Sequence, residues 1–204
     1  MVIQPSLSAE NTQEKSRIIK SFRTPSFVEE KQQNQVYFGS AVHTVLQHIC
    51  YEACRDAQGV MQELNRLVAD RLITEEQRNS IDCHKIVNLF TTDIGRKLCE
   101  NCPVLREFKF SILEDASLYY PEITDEKVLL QGVVDCALLE PDGITIIDFK
   151  TDFVTDETLG QLLNKYRPQV STYARALSKI YNAPIKAVKL YLFYLDMFAD
   201  VNIE

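Results

Sequence analysis

Residues 132–150 read Gly-Val-Val-Asp-Cys-Ala-Leu-Leu-Glu-Pro-Asp-Gly-Ile-Thr-Ile-Ile-Asp-Phe-Lys. Pro141-Asp142-Gly143 supplies turn chemistry between two β-branched, apolar runs, which predicts a hairpin with a return strand over 144–150. A turn centred on Pro141 and Asp142 pairs Glu140 with Gly143, Leu139 with Ile144, and Asp135 with Asp148. Side-chain alternation then places Lys150 on the face of Asp148, while Val134, Cys136, Ile147 and Phe149 turn to the other face, as a core surface should. A bulge at Gly143 would slip this register by one residue and still leave the carboxylates close. Two carboxylates side by side repel by roughly 0.2–1 kcal/mol even when exposed. A divalent cation between them removes the conflict, because Mg²⁺ and Mn²⁺ prefer oxygen ligands. Lys150 beside such a cation is placed to orient or deprotonate a water and to stabilise phosphate charge. An ordinary surface Asp–Asp–Lys salt bridge fits the same residues.

Working outward, the chain has 204 residues, 46% hydrophobic and 25% charged, which suits one globular domain with a short appendage. No run of about 18 apolar residues occurs, so no membrane-spanning helix is expected. The most apolar stretch, 188–201, is broken by Lys189, Asp196 and Asp200. The first thirty residues are polar and lack the apolar centre of a signal peptide, which predicts a cytoplasmic protein. Six cysteines in that setting imply reduced thiols. Cys99-x-x-Cys102 has metal-ligand spacing, and Cys50 and Cys54 share a helical face, but a thiolate site needs two such pairs together. Buried small hydrophobes are the plainer reading of these cysteines.

The formal net charge of −7 speaks against nucleic acid on its own. Its distribution does not. Between Thr158 and Leu195 there is no acid, while Lys165, Arg167, Arg175, Lys179, Lys186 and Lys189 are basic. This is a basic sector on an acidic body, or simply a solvated face.

Residues 1–33 read as a linker or surface segment, and 34–204 as the domain. Helices are expected over about 38–56, through Leu64 to Leu72 after Gly59, from a Thr74/Gln77 capping box through Phe90, and from Thr92 to about Cys99. Strands follow at 104–113, 128–140 and 144–150, then a helix over 168–182 opened by Pro168, and a last strand over 185–195. The fold class is therefore α/β, a mixed sheet flanked by helices with an N-terminal helical subregion.

Together these residues resemble the RecB-type nuclease domain of the PD-(D/E)XK superfamily, which has a restriction-endonuclease-like core. Gly39-Ser-Ala-Val-His43 is similar to its G-x-x-x-H helix, Arg106-Glu107-Phe108 to its Glu-bearing strand, and Gly132-Val-Val-Asp135 to its G-x-x-D. Asp148-Phe-Lys150-Thr151-Asp152 matches D-[YF]-K-T-D, and Gln169-Val-Ser-Thr-Tyr173 matches Q-x-x-x-Y. Within the family the likeness is nearest to the C-terminal nuclease domains of AddA-type helicase–nucleases, including the lead-in Arg23-Thr-Pro-Ser-Phe27. These 204 residues hold no G-x-x-x-x-G-K-[ST] motor motif, so the chain reads as one domain of a helicase–nuclease or as a stand-alone relative.

The resemblance implies metal ligation by His43, Asp135, Asp148 and the Phe149 backbone carbonyl, with Glu107 used variably among members. It implies catalysis by Lys150 with Asp148 and Asp135, and DNA positioning or bracing by Gln169 and Tyr173. Lys165, Arg167, Arg175 and Lys179 would track the phosphate backbone. The cofactor implied is Mg²⁺ or Mn²⁺. Branches with an iron–sulfur cluster bind it partly through cysteines beyond the core; no cysteine follows Cys136, so no cluster is expected. The implied activity is DNA phosphodiester hydrolysis, as an exonuclease on single strands in double-strand-break repair. The implied partners are DNA, a helicase domain in the parent chain and an AddB-like subunit, with no membrane. A non-catalytic module binding DNA ends or a partner protein is the alternative. Intact Asp135, Asp148 and Lys150 argue against it.

Overall fold

A computed structural model describes residues 26–100 and 103–203, with side chains from Tyr37 onward. The lead-in Arg23-Thr-Pro, Cys102 and the expected linker up to residue 25 lie outside the described residues. Helix α1 (Ser26–His48) starts well before the expected residue 38 and stops eight residues short of the expected 56. Ala41, Val42, Val45 and Leu46 form its buried stripe. It stops because its last carbonyls are claimed from outside. Arg66 donates to His48 O at 2.9 Å, and Arg106 donates to Ile49 O at 2.7 Å. Tyr51 then folds back onto Leu46 O, and the Arg106 guanidinium lies 3.4 Å from the Tyr51 ring centre.

The helical layer continues with α2 (Ala57–Ala69), α3 (Glu75–Ser80), α4 (Cys83–Thr91) and α5 (Asp93–Leu98). Gly59 lies inside the first turn of α2, where its N–H is capped by Asp56, and Leu72 falls beyond the helix. The Thr74/Gln77 capping box is present. The single helix expected after it is two, because Asp82 caps a new start at α4. Thr92 caps α5 as expected. Of the five described cysteines, Cys54 and Cys136 are buried, Cys83 and Cys99 are half-buried, and Cys50 is exposed.

The sheet contains β1 (Val104–Asp115), β2 (Lys127–Glu140), β3 (Gly143–Lys150), β4 (Ile185–Leu192) and β5 (Met197–Asp200), in that order across it. All neighbours are antiparallel except β3 and β4, which are parallel and joined over one face by α6 (Leu159–Tyr181). The β2–β3 register is the expected one, from Glu140 opposite Gly143 to Cys136 opposite Ile147. The ladder ends before the expected Asp135–Asp148 pair, and Val134, expected beside Cys136, joins the core under α6 because β2 changes face at Asp135. Strand β3 is buried on both faces: Ile147 and Phe149 join the helical-layer core, while Ile144 and Ile146 join the core under α6.

Two expectations fail in the last third. Helix α6 begins nine residues before Pro168 and runs through it. Pro168 and Asn164 are both exposed, so the carbonyl that loses its donor faces water. The single strand expected over 185–195 breaks after Leu192. There Leu195 N–H turns back to Leu192 O, and Asp196 takes a left-handed conformation at φ 51° before β5.

Replacing Arg106 by alanine should take the side-chain donor from Ile49 O, just past α1, while Arg66 still holds His48 O, costing about 1–3 kcal/mol. The melting temperature should fall by about 2–12 °C. Thermal unfolding of Arg106→Ala checks this, and an unchanged midpoint removes the guanidinium from the α1 terminus.

Candidate active site

Strand β2 pairs with β3 only as far as Cys136 and Ile147, then peels away with β1 to cover α6. Phe108, Phe110 and Ile112 pack into the α6 core, whereas Val104 packs into the helical-layer core and Arg106 lies over Tyr51. The strand pair therefore changes face at Glu107 and Asp135. Glu107 sits there at φ 47°, a left-handed conformation that is unusual for glutamate and breaks the ladder between Arg106 and Phe108. The gap opened by this divergence is where the chemical groups converge.

His43 from α1, Glu107 from β1 and Asp135 from β2 present ligand atoms that all lie within 4.8 Å of one another. His43 Nδ1 is 3.5 Å from Asp135 Oδ1 and 3.7 Å from Glu107 Oε1. The other Asp135 oxygen accepts the Phe149 N–H at 2.8 Å, which clips the departing strand to β3. The His43 ring meets the edge of Phe149 at 6.4 Å. Gly39 lets α1 approach β3 this closely, since a Cβ there would sit 2.9 Å from Thr151 Oγ1. Gly132 does the same under α6. A Cβ would meet the Phe110 ring at 2.6 Å and push it into Tyr173, its edge-to-face partner.

Asp148 is 1% exposed, and its Oδ2 has Lys150 Nζ at 2.6 Å without hydrogen-bond alignment. Burial, then the Asp135 charge, push its carboxyl up to about 6, against the opposing pull of Lys150. Burial and the same Asp135 charge raise Glu107. Burial alone would lower His43, but the hydrogen bond and charge of Asp135, helped by Glu107 and Asp148, raise it overall. Three crowded carboxylates, one of them with a poorly satisfied buried oxygen, and one imidazole form a donor set suited to a hard divalent cation.

On the other side Lys150 Nζ lies 4.0 Å from the ring centre of Tyr166, whose hydroxyl bonds Asp152 at 2.9 Å. Gln169 Nε2 donates to Tyr173 Oη at 2.6 Å. Sequence reasoning gives Tyr166 no role, and Asp152 none beyond its place in the Asp148–Asp152 motif. The signal was present: Tyr166 lies three residues before Gln169 on the same helix face, but a helix starting at Pro168 excludes it.

The basic sector is largely compensated. Lys165 pairs with Asp152, Arg175 and Lys179 with Glu114, Lys186 with Glu140 and Asp142, and Lys189 with Asp200. The acids missing from the segment come from neighbouring strands and turns. Arg175 and Lys179 also line a cavity of about 530 Å³ on the face of α6 turned away from Gln169 and Tyr173. Arg167 is exposed and has no acidic partner among the described residues.

The raised Asp148 carboxyl makes the cation-free chain pH-sensitive. Its ordinary value is 3.8, so the folded chain holds this proton more tightly than the unfolded one. That stabilisation is complete below about pH 4 and lost as pH rises through about 6, in all about 3 kcal/mol. Between pH 4 and 7.5, the stability of Asp148→Asn relative to wild type should therefore shift in the variant's favour by up to about that amount. Urea unfolding in EDTA measures it; a pH-independent difference would show that Asp148 titrates normally.

The family model for the PD-(D/E)XK nuclease superfamily matches residues 16–201. Two Geobacillus proteins, each named as the A subunit of an ATP-dependent helicase/nuclease, are similar to the chain. That of G. thermodenitrificans is 36% identical over 89% of it, and that of G. kaustophilus 37% over 84%. The protein of the same name from Clostridium botulinum strain Kyoto is 32% identical over 95% of the chain. The chain spans about 15% of the length of each of these relatives. With the expected mixed sheet, the converging site residues and this likeness over most of its length, the chain belongs to the PD-(D/E)XK nuclease superfamily.

Proposed function

We propose that the chain is a divalent-cation-dependent deoxyribonuclease, an exonuclease on single-stranded DNA, acting in double-strand-break repair. It would serve as the nuclease part of an AddAB-type helicase–nuclease, with a helicase domain in the parent chain, an AddB-like partner and a cytoplasmic location. The observation that carries this reading is the convergence of His43, Glu107 and Asp135 beside the Asp148–Lys150 pair.

His43, Glu107, Asp135 and Asp148 would hold Mg²⁺ or Mn²⁺, with the Phe149 carbonyl as a further ligand. Such a cation would supply Lewis acidity toward a phosphate oxygen and ease deprotonation of a water. Lys150 is aimed by Asp148 and the Tyr166 ring, so its ammonium meets charge gathering on the scissile phosphate. Tyr173 is fixed by Gln169, and the pair would bracket the strand being cut. Lys165, four residues before Gln169, stands on the site side of α6 and would meet the phosphate backbone, whereas Arg167, two residues further on, points to the other side of the helix. Arg175 and Lys179 already meet Glu114, which supports a smaller part for them.

Cleavage of end-labelled single-stranded DNA with Mg²⁺, Mn²⁺ or EDTA tests the reaction. Lys150→Met should lower the rate by about 10²–10³-fold while Mn²⁺ still binds. Asp148→Ala should abolish cleavage. If the wild type neither cuts nor binds Mn²⁺, the nuclease reading is wrong. Affinity for single strands across a salt series tests the DNA path. Lys165→Ala should flatten the slope of log affinity against log salt by about one, while Arg175→Ala leaves it nearly unchanged. The reverse ranking would move the path to the other face of α6.

A further inference from the structure

Two exposed rings stand at the carboxyl ends of the parallel strands β3 and β4. Phe153 is 62% exposed and Tyr194 49% exposed, yet their ring centroids are only 4.4 Å apart, inclined at 59°. Neither belongs to a core cluster. Phe153 follows Lys150 by three residues, which limits the separation of their Cα atoms to about 10 Å. Tyr194 follows Leu192, the partner of Lys150 in the sheet.

The backbone beneath the rings is well tied. Phe193 N–H donates to Lys150 O at 2.9 Å. The Lys85 ammonium from α4 bonds Phe193 O and lies 3.4 Å from Asp196. Asp152, next to Phe153, is bound by Lys165 and Tyr166. A large apolar surface is thus held open to water beside the cleft, although its neighbours are all satisfied. Lys165, held on Asp152, sets a cation of α6 on this side of the cleft.

We infer that Phe153 and Tyr194 form a stacking platform for unpaired bases of the strand in the cleft, and so select single strands over duplex. This rests on the nuclease reading above and adds a subsite to it. In a duplex the base faces are already occupied by their neighbours. An unpaired base offers a free π-face, and every base has one, so the selectivity is for strandedness and not for sequence. The Lys165 ammonium nearby takes a phosphate, so a cation stands beside a ring as in single-strand grooves.

The chain has no tryptophan, so Phe153→Trp provides a single reporter at the platform. In EDTA, its emission should be quenched by a short oligothymidine and not by a blunt duplex. The Phe153→Ala/Tyr194→Ala double variant should bind oligothymidine about 10- to 100-fold more weakly than wild type, with duplex affinity unchanged. Phe153→Trp should retain wild-type affinity. Unaltered single-strand affinity in the double variant, equal losses on both DNAs, or no quench would each overturn the platform and leave the rings as a protein contact. Wild-type cleavage with Mn²⁺, run in parallel, separates the two claims. Cutting without stacking removes the platform and keeps the nuclease; stacking without cutting does the opposite.

Discussion

Asp135 carries two incompatible duties, and the arrangement around it follows from that. One oxygen receives the Phe149 amide and keeps β2 attached to β3 at the last point before they separate. The other faces the His43 imidazole and crowds Glu107. The clip holds this carboxyl in place; the crowding penalises charge on the carboxyls of Asp148 and Glu107 beside it. Burial leaves little water to relieve the conflict, so Asp148 and Glu107 hold their protons longer than free side chains do. An ion of opposite sign is the economical resolution.

Such sites are stabilised from outside. Arg106 ties the end of α1 to β1, so the helix bearing His43 and the strand bearing Glu107 are fixed by one guanidinium. Lys85 fastens the turn after β4 to the helical layer. Lys150 is clamped between Asp148 and Tyr166. These contacts lie on different elements, and together they hold a local arrangement that repels itself.

Much of this was legible in the sequence. The hairpin register followed from turn chemistry, with Glu140 opposite Gly143 across the Pro141-Asp142 turn. The family motifs named His43, Asp135, Asp148 and Lys150, and the structure brings them together. What was not legible depended on tertiary contacts. The end of α1 is set by arginines 18 and 57 residues away from the carbonyls they bind. Pro168 signals a helix start unless the freed carbonyl can reach water, and here it can. Hiding Tyr166 followed from that one error. The basic run looked uncompensated because its acids lie on other strands, invisible to a reading along the chain. The left-handed turn at Glu107 has no glycine to announce it.

That turn has a bearing on self-association. β1 is the outermost strand on its side of the sheet and is twelve residues long. A long, straight border of this kind is a template on which another chain can extend a sheet. At Glu107 the strand turns its path, so no straight segment can match its whole length. The residue that presents a carboxylate beside His43 and Asp135 thereby also makes the border a poorer template for intermolecular pairing.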